Sequence, residues 1–268
     1  MKKIVITFIE CICFFLGWAI LSAVLPLSNS DNPAIWRLWA EITPLLSIIA
    51  FTLIFWIVEK KTIKLHIFDN PVKGVLVGII TGILWLGFPE VIMKLVKVIG
   101  FDGKNDIPFL FVWILAAFLN VIMQELLVRG WLYQMLKQKF NIAVSTIVTS
   151  ALFTLLHGGA FEAGLVPVVN VLTMSLLMTV ILEYSGSLIA PTVMHFIWNG
   201  IGALVLGGVS LADDYPHLLN MTFSGSDLLS GGACKIEGSI VVLVVNAILL
   251  AVFIVLQRKS RNDMGDNV

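Results

Sequence analysis

The sequence predicts an all-α fold, a polytopic membrane bundle of about eight transmembrane helices in a single domain covering residues 1–268. Hydrophobic residues make up 59% of the chain and charged residues only 13%, with a mean hydropathy of +0.99. Soluble domains carry about 25% charged residues. The composition therefore argues against a cytosolic enzyme, a disordered chain and a nucleic-acid-binding protein. Apolar runs of about 20 residues, the length that crosses a bilayer as a helix, are the third observation.

Eight apolar runs give the candidate spans. They cover approximately 4–25, 41–58, 74–93, 108–130, 143–160, 164–184, 188–206 and 238–256. Lys2 and Lys3 precede the first run as in a signal peptide, but apolar sequence continues to Leu27, so we expect an uncleaved helix. The stretch at about 207–237 holds glycine pairs and Pro216, which predicts an external loop.

The distribution of Lys and Arg predicts the orientation of the spans. The loops on the side of the amino terminus hold Lys2, Lys3, Lys60, Lys61, Lys64, Lys73, Lys137, Lys139, Arg258, Lys259 and Arg261. The opposite side holds Arg37, Lys94, Lys97, Lys104 and Lys235. Because cytoplasmic loops carry the excess of basic residues, we expect both termini to be cytoplasmic, in a bacterial plasma membrane. Membrane lipid is then a partner, nucleic acid is not, and the sequence leaves the oligomeric state open.

Polar side chains inside membrane helices are costly, so each needs a partner or a function. Three predicted spans carry such residues at helical spacings: Gln124, Glu125, Arg129, His157, His195 and Asn199. Glu125 and Arg129 are four residues apart and can pair on one helix face. His195 and Asn199 have the same spacing, whereas Gln124 is rotated by about 100° from Glu125.

The depth of these residues suggests that they meet. An antiparallel hairpin folded at Lys139–Asn141 brings Gln124 and Glu125 level with His157. The turn at 185–187 places His195 at a similar depth, so all six could line one cavity below the cytoplasmic surface. The alternative is structural: each histidine is an interhelical hydrogen bonder, and the ion pair merely neutralises itself in a packed bundle.

Two kinds of chemistry suit this set. Two imidazoles with carboxylate or amide oxygens can hold a divalent metal such as Zn²⁺ and a water, with His157, His195, Asn199 and Glu125 as ligands. Without a metal or other cofactor, a carboxylate can deprotonate water while His and Asn donate hydrogen bonds to an oxyanion. Either route hydrolyses an amide. Cys11, Cys13 and Cys234 lack metal or redox spacing and are interpreted as packing residues.

The same residues resemble the motifs of the CPBP family, the CAAX-protease and bacteriocin-processing group also called Abi. Its motifs, EExxxR, FxxxH and HxxxN, are similar to Gln124-Glu125-xxx-Arg129, Phe153-xxx-His157 and His195-xxx-Asn199. The resemblance covers approximately 108–206. It implies a membrane endopeptidase related to the CAAX prenyl protease, in which His157, His195 and Asn199 bind the water or metal and stabilise the oxyanion.

One departure from the family pattern bears on catalysis. The resemblance implies a glutamate as the water-activating base at the position of Gln124, and an amide cannot accept a proton at neutral pH. Three interpretations stay open. Glu125 serves instead as the base, or the chain is a catalytically silent relative, or an active glutamate was replaced deliberately.

Two functions therefore compete. The first is an intramembrane endopeptidase that cuts a peptide or protein substrate near the cytoplasmic face. The second is a silent protein of the same fold that binds a peptide without cutting it, in immunity or as a scaffold. A transporter with a His and Glu proton relay is a third hypothesis, but the sequence shows neither paired discontinuous helices nor an internal repeat.

Overall fold

The structure, a computed structural model, describes residues 2–212 and 214–265. Its helices are α1 (Lys2–Val24), α2 (Pro33–Val58), α3 (Pro71–Leu95), α4 (Leu110–Arg129), α5 (Trp131–Lys139), α6 (Ile142–Leu156), α7 (Gly158–Ala163), α8 (Leu165–Ser185), α9 (Ile189–Phe196), α10 (Asp227–Ser230) and α11 (Ile240–Gly265). A π-helix covers Ile197–Val205 and a 3₁₀ helix covers Gly232–Gly238. Two strands, β1 (Ile99–Lys104) and β2 (Leu219–Phe223), form an antiparallel pair. The all-α prediction is confirmed.

Apolar helices match the eight predicted spans. Six segments of the described chain are long and apolar enough to cross a membrane: Lys2–Val24, Pro33–Val58, Pro71–Leu95, Leu110–Lys139, Leu165–Ser185 and Gly232–Ser260. Ile142–Leu156 and Ile189–Val205 are shorter apolar helices at the fifth and seventh predicted spans. The chain is therefore an integral membrane protein.

Some boundaries differ from the prediction for identifiable reasons. Helix α2 begins eight residues before the predicted span, because Asn32 caps it: its Oδ1 accepts hydrogen bonds from the backbone N–H groups of Ala34 and Ile35, at 3.0 and 3.3 Å. The fifth span ends at Leu156 rather than 160, since a His-Gly-Gly sequence follows it. The predicted loop at 207–237 contains β2 and two short helices.

The described chain forms two compact units. The first comprises the chain up to Ile67 together with Phe109–Thr149. In it, α2 packs against α1 and α4, and α5 packs against α1 and α2. Trp131 of α5 is fully buried between Phe14 and Phe55, with ring centroids 4.8 and 4.9 Å away. The apolar stripes of four helices thus hold this unit together.

The second unit comprises Phe68–Pro108 and the chain from Ser150 onward. In it, α8 packs against α11, and α3 packs against α9. Glycines at 74, 78 and 82 allow α3 to approach α9 closely, and their four-residue spacing is typical of such helix packing. A Cβ atom on Gly78 would lie 2.7 Å from the Ala190 carbonyl oxygen. A single domain over the whole chain stays a prediction.

Candidate active site

The acidic motif lies at the end of α4 in the first unit. Nη1 of Arg129 donates to both carboxylate oxygens of Glu125, at 3.0 and 3.1 Å, and both side chains are fully buried. The predicted ion pair therefore forms. A buried ion pair of this kind fixes both side chains, since separating them would leave an uncompensated charge in an apolar surrounding.

Gly130 ends the helix that carries the motif. Its N–H donates to the carbonyl oxygens of Glu125 and Leu126, and a Cβ atom at this position would lie 2.4 Å from the Leu126 oxygen. Only a residue without a side chain fits so close to the backbone. The chain then turns into α5, whose first residue is the buried Trp131. The end of α4 at Gly130 therefore places Arg129 two residues before Trp131, which packs between Phe14 and Phe55.

Gln124 points in a different direction from Glu125, as the helical rotation predicts. Its Nε2 donates to Oδ1 of Asn120 at 2.6 Å, and Nδ2 of Asn120 donates to Oε2 of Glu41 at 2.8 Å. Glu41 also accepts from Arg37 at 3.2 Å. Glu125 thus contacts Arg129, whereas Gln124 is linked through Asn120 to Glu41 of α2.

His157 lies at the junction of α6 and α7, in the second unit. Its Nδ1 is 2.7 Å from the carbonyl oxygen of Phe153, four residues before it. A carbonyl can only accept, so Nδ1 carries the proton, and in the neutral ring Nε2 carries the lone pair. The FxxxH spacing therefore orients the imidazole: the backbone of the first residue fixes the tautomer of the last.

His195 and Asn199 lie where α9 passes into the π-helix. They are 3% and 6% exposed, and Nδ2 of Asn199 is 3.3 Å from Nε2 of His195. The amide donates to the ring, so the two side chains project together, as their spacing predicts. A π-helix has wider turns than an α-helix and is frequently found at functional sites.

Phe153 brings the two histidines to one aromatic side chain. Its buried ring lies 4.3 Å from the His157 ring and 6.1 Å from the His195 ring, measured between centroids. The second and third motifs are therefore neighbours within the second unit. That these residues and the acidic motif line one cavity stays a prediction.

A second network of buried side chains contacts the π-helix at Trp198. The indole of Trp198 is fully buried, stacks on Trp85 with centroids 4.1 Å apart, and donates to Oε1 of Glu237 at 3.0 Å. Nε1 of Trp85 donates to Asn246 of α11 at 2.6 Å. Because Trp198 directly precedes Asn199, these contacts restrict the position of the motif amide.

Sequence reasoning missed Glu41, Asn120, Trp198 and Glu237. Glu41 is the first residue of the predicted second span, but α2 begins at Pro33, which places Glu41 two turns inside the helix. Asn120 stands four residues before Gln124, a spacing that indicates a shared helix face. Trp198 lies within the HxxxN motif, whereas no sequence signal connects it with Glu237.

The histidines carry donor groups of the kind that metals bind. The Nδ1–H of His157 donates to a backbone carbonyl, as metal-ligating histidines usually do, and its Nε2 would be the ligand atom. The amide of Asn199 adds an oxygen donor. Within neither unit do three or more described His, Cys, Asp and Glu side chains group as a metal site. Two imidazole nitrogens and the amide oxygen of Asn199 are chemically suitable ligands for a divalent cation.

The part of the chain that carries the motifs matches a known family model. Residues 106–201 match the sequence profile described as type II CAAX prenyl endopeptidase Rce1-like. The match nearly coincides with the predicted motif core at 108–206 and contains all three motifs. Searches of curated proteins and of solved structures gave no match. Over its motif-bearing core, the chain is therefore similar to the type II CAAX prenyl endopeptidases.

Proposed function

We propose that the protein is an intramembrane endopeptidase that hydrolyses a peptide bond near the cytoplasmic membrane face with an activated water. The observation that carries the proposal is the arrangement of the two histidine motifs around Phe153, with each ring held by a defined hydrogen bond. Proteins rarely bury such groups in a membrane without a function.

Each motif residue has a role that its contacts support. In the route without a metal, the Nε2 lone pair of His157 is the base that the geometry favours, because Arg129 holds both oxygens of Glu125. Glu125 is the second candidate for the base, and Arg129 fixes the acidic motif. His195 and Asn199 bind the water and stabilise the oxyanion of the tetrahedral intermediate. Gln124 orients the water.

A divalent cation such as Zn²⁺ would be held by His157, His195, Asn199 and Glu125. When bound, such an ion supplies a Lewis acid that favours ionisation of its water. The residues of this chain position the peptide carbonyl and the water in either case.

The substrate we propose is a membrane-associated peptide or protein: a prenylated-type tail, a leader peptide or a small signalling peptide. Apolar side chains next to His157 support this choice, since Leu155, Leu156 and Phe161 are all exposed on the described structure. In a bilayer these side chains contact acyl chains or an apolar substrate. Both termini are cytoplasmic in this proposal, and the membrane is a bacterial plasma membrane.

The proposal is tested by incubating the purified protein in lipid vesicles with such peptides. His157→Ala and His195→Ala should each abolish cleavage, because each removes a group from the reacting centre. His217→Ala is the matched control, since His217 contacts Asn220 of β2 and belongs to neither motif. Equal product from all three variants would contradict the proposal.

A catalytically silent peptide-binding protein is the second candidate function, and Gln124 favours it. An amide cannot take a proton from water, and the neighbouring carboxylate is paired. Gln124→Glu discriminates between the two functions. Cleavage that appears only in this variant identifies the unchanged chain as a binder, whereas cleavage by the unchanged chain identifies an enzyme.

A further inference from the structure

A continuous row of hydrogen bonds links α2 and α4 in the first unit. Arg37 donates to Oε1 of Glu41, and Asn120 donates to Oε2 of the same carboxylate. Gln124 in turn donates to Oδ1 of Asn120. Glu41 is only 4% exposed, so water competes little for its oxygens. The row leads from an arginine near the start of α2 to the first position of the acidic motif.

The chemistry of the groups fixes the direction of this row. An ionised carboxylate only accepts hydrogen bonds, so Asn120 must turn its nitrogen towards Glu41. The oxygen of Asn120 then faces Gln124, which must turn its own nitrogen towards Asn120. One charge at Glu41 therefore sets the orientation of two side-chain amides.

The oxygen of Gln124 is left at the far end of the row. Oε1 is buried and has no hydrogen-bond partner among residues 2–212 and 214–265. A buried carbonyl oxygen without a donor is unfavourable unless a water or ligand supplies one. The row thus ends in an acceptor at the position where the family motif has its first glutamate.

We infer that Glu41 is a positioning residue of the active site. Acting through Asn120, it turns Gln124 so that Oε1 accepts a hydrogen bond from the reacting water. The catalytic part of this inference rests on the proposed function, whereas the orientation of Gln124 does not.

The same row accounts for an amide rather than a carboxylate at this position. A glutamate side chain in place of Gln124 would set its oxygen against Oδ1 of Asn120, and two acceptors without a donor between them repel each other. Asn120 could turn round only by withdrawing its nitrogen from Glu41. Carboxylates at 41 and 124 therefore compete for one amide, and replacing Glu41 removes the competition.

A double-mutant cycle in melting temperature tests this orientation. The four proteins are the unchanged chain, Glu41→Gln, Gln124→Glu and the double variant, all in the same detergent. We expect Gln124→Glu to lower the melting temperature by several degrees in the unchanged background. In the Glu41→Gln background the loss should be smaller or reversed. Asn120 can then donate to the new carboxylate and accept from the new amide, which gives a reversed row of the same length.

Glu59→Gln is the matched control for the cycle. Glu59 follows α2, is also a partly buried carboxylate, and pairs with Lys139. We expect Gln124→Glu to lower the melting temperature by the same amount with and without Glu59→Gln. If Gln124→Glu lowers the melting temperature equally in the unchanged and the Glu41→Gln backgrounds, the inference is overturned. If Glu41→Gln does not fold, Asn120→Ala takes its place in the cycle, because it removes the amide for which the two carboxylates compete.

Peptide cleavage tests the catalytic part separately. Glu41→Gln should lower kcat about tenfold and leave KM unchanged, as expected when one hydrogen bond to the reacting water is lost. An unchanged kcat overturns the catalytic role of Glu41. Failure of the unchanged chain to cleave any peptide refutes the proposed function instead, while the melting cycle still decides whether Glu41 orients Gln124.

Discussion

Glu125 and Arg129 form a buried ion pair within the acidic motif. Neither side chain is exposed, and one guanidinium nitrogen contacts both carboxylate oxygens. Transferring both charges from water is costly, so the pair contributes little net stability over an apolar pair of the same shape. The pair fixes the geometry of the helix end. Removing only one of the two charges would lower the stability of the protein strongly, because the other charge would remain buried.

Arg129→Ala should therefore destabilise the protein by about 3–5 kcal/mol, because it leaves the Glu125 charge buried without its arginine. The free energy of unfolding in detergent measures this loss. The double variant Glu125→Gln/Arg129→Gln should recover much of it, since neither charge of the pair then remains buried. Arg258→Ala, at an exposed position of α11, should change stability by at most about 0.5 kcal/mol. A similar small change for Arg129→Ala would show that the pair is not held in the folded protein.

Residue spacing alone predicted which motif side chains pair along a helix. Four-residue separations gave the Glu125–Arg129 and His195–Asn199 contacts, both of which the structure contains. Residue spacing could not predict the contacts between different helices. The link from Asn120 to Glu41 joins residues 79 positions apart, and its prediction requires knowing that α2 packs along α4.

At the scale of elements, the small residues of α3 determine how closely α9 approaches. Cβ atoms at Gly74, Gly78 and Gly82 would contact residues of the α9 region at 2.7–3.0 Å, whereas a Cβ atom at Gly87 would contact nothing within 4 Å. Without side chains at the first three positions, the backbones pack against each other directly. The helix that carries His195 is thus placed by glycines in another helix.

Gly78→Ala should push α9 away and destabilise the protein by about 1–3 kcal/mol, since the new methyl group meets the Ala190 backbone. Cleavage should fall with it, because His195 moves with α9. Gly87→Ala in the same helix is the control and should stabilise by up to about 1 kcal/mol. Unfolding measurements on both variants decide the matter, and equal effects would refute the packing argument.

Element type was predictable where apolar runs were long, and less so where they were short. The hydropathy of the chain indicated every long helix of the described chain, but the predicted second span missed the start of α2 at Pro33, which Asn32 caps. The change from α9 into a π-helix had no such signal in the hydropathy, and the Trp198 indole within the π-helix donates a hydrogen bond to Glu237, 39 residues further on. Likewise, β1 and β2 pair across more than a hundred residues, and neither has a strong strand pattern.

At the scale of the whole molecule, each compact unit is made of two separate stretches of the chain. The acidic motif belongs to one unit and the histidine motifs to the other. The number of spans and their membrane character follow from composition and length, which act along the chain. The division into units depends on which helices pack together, and that information is spread over distant residues whose apolar side chains look alike.

The stacked indoles of Trp85 and Trp198 also make the protein its own optical reporter. Two tryptophan rings 4.1 Å apart are electronically coupled, and coupled indoles produce a paired signal in circular dichroism that single indoles lack. Because Trp198 is the direct neighbour of Asn199, a shift of the histidine-bearing segment on adding a peptide would alter that signal without any attached label.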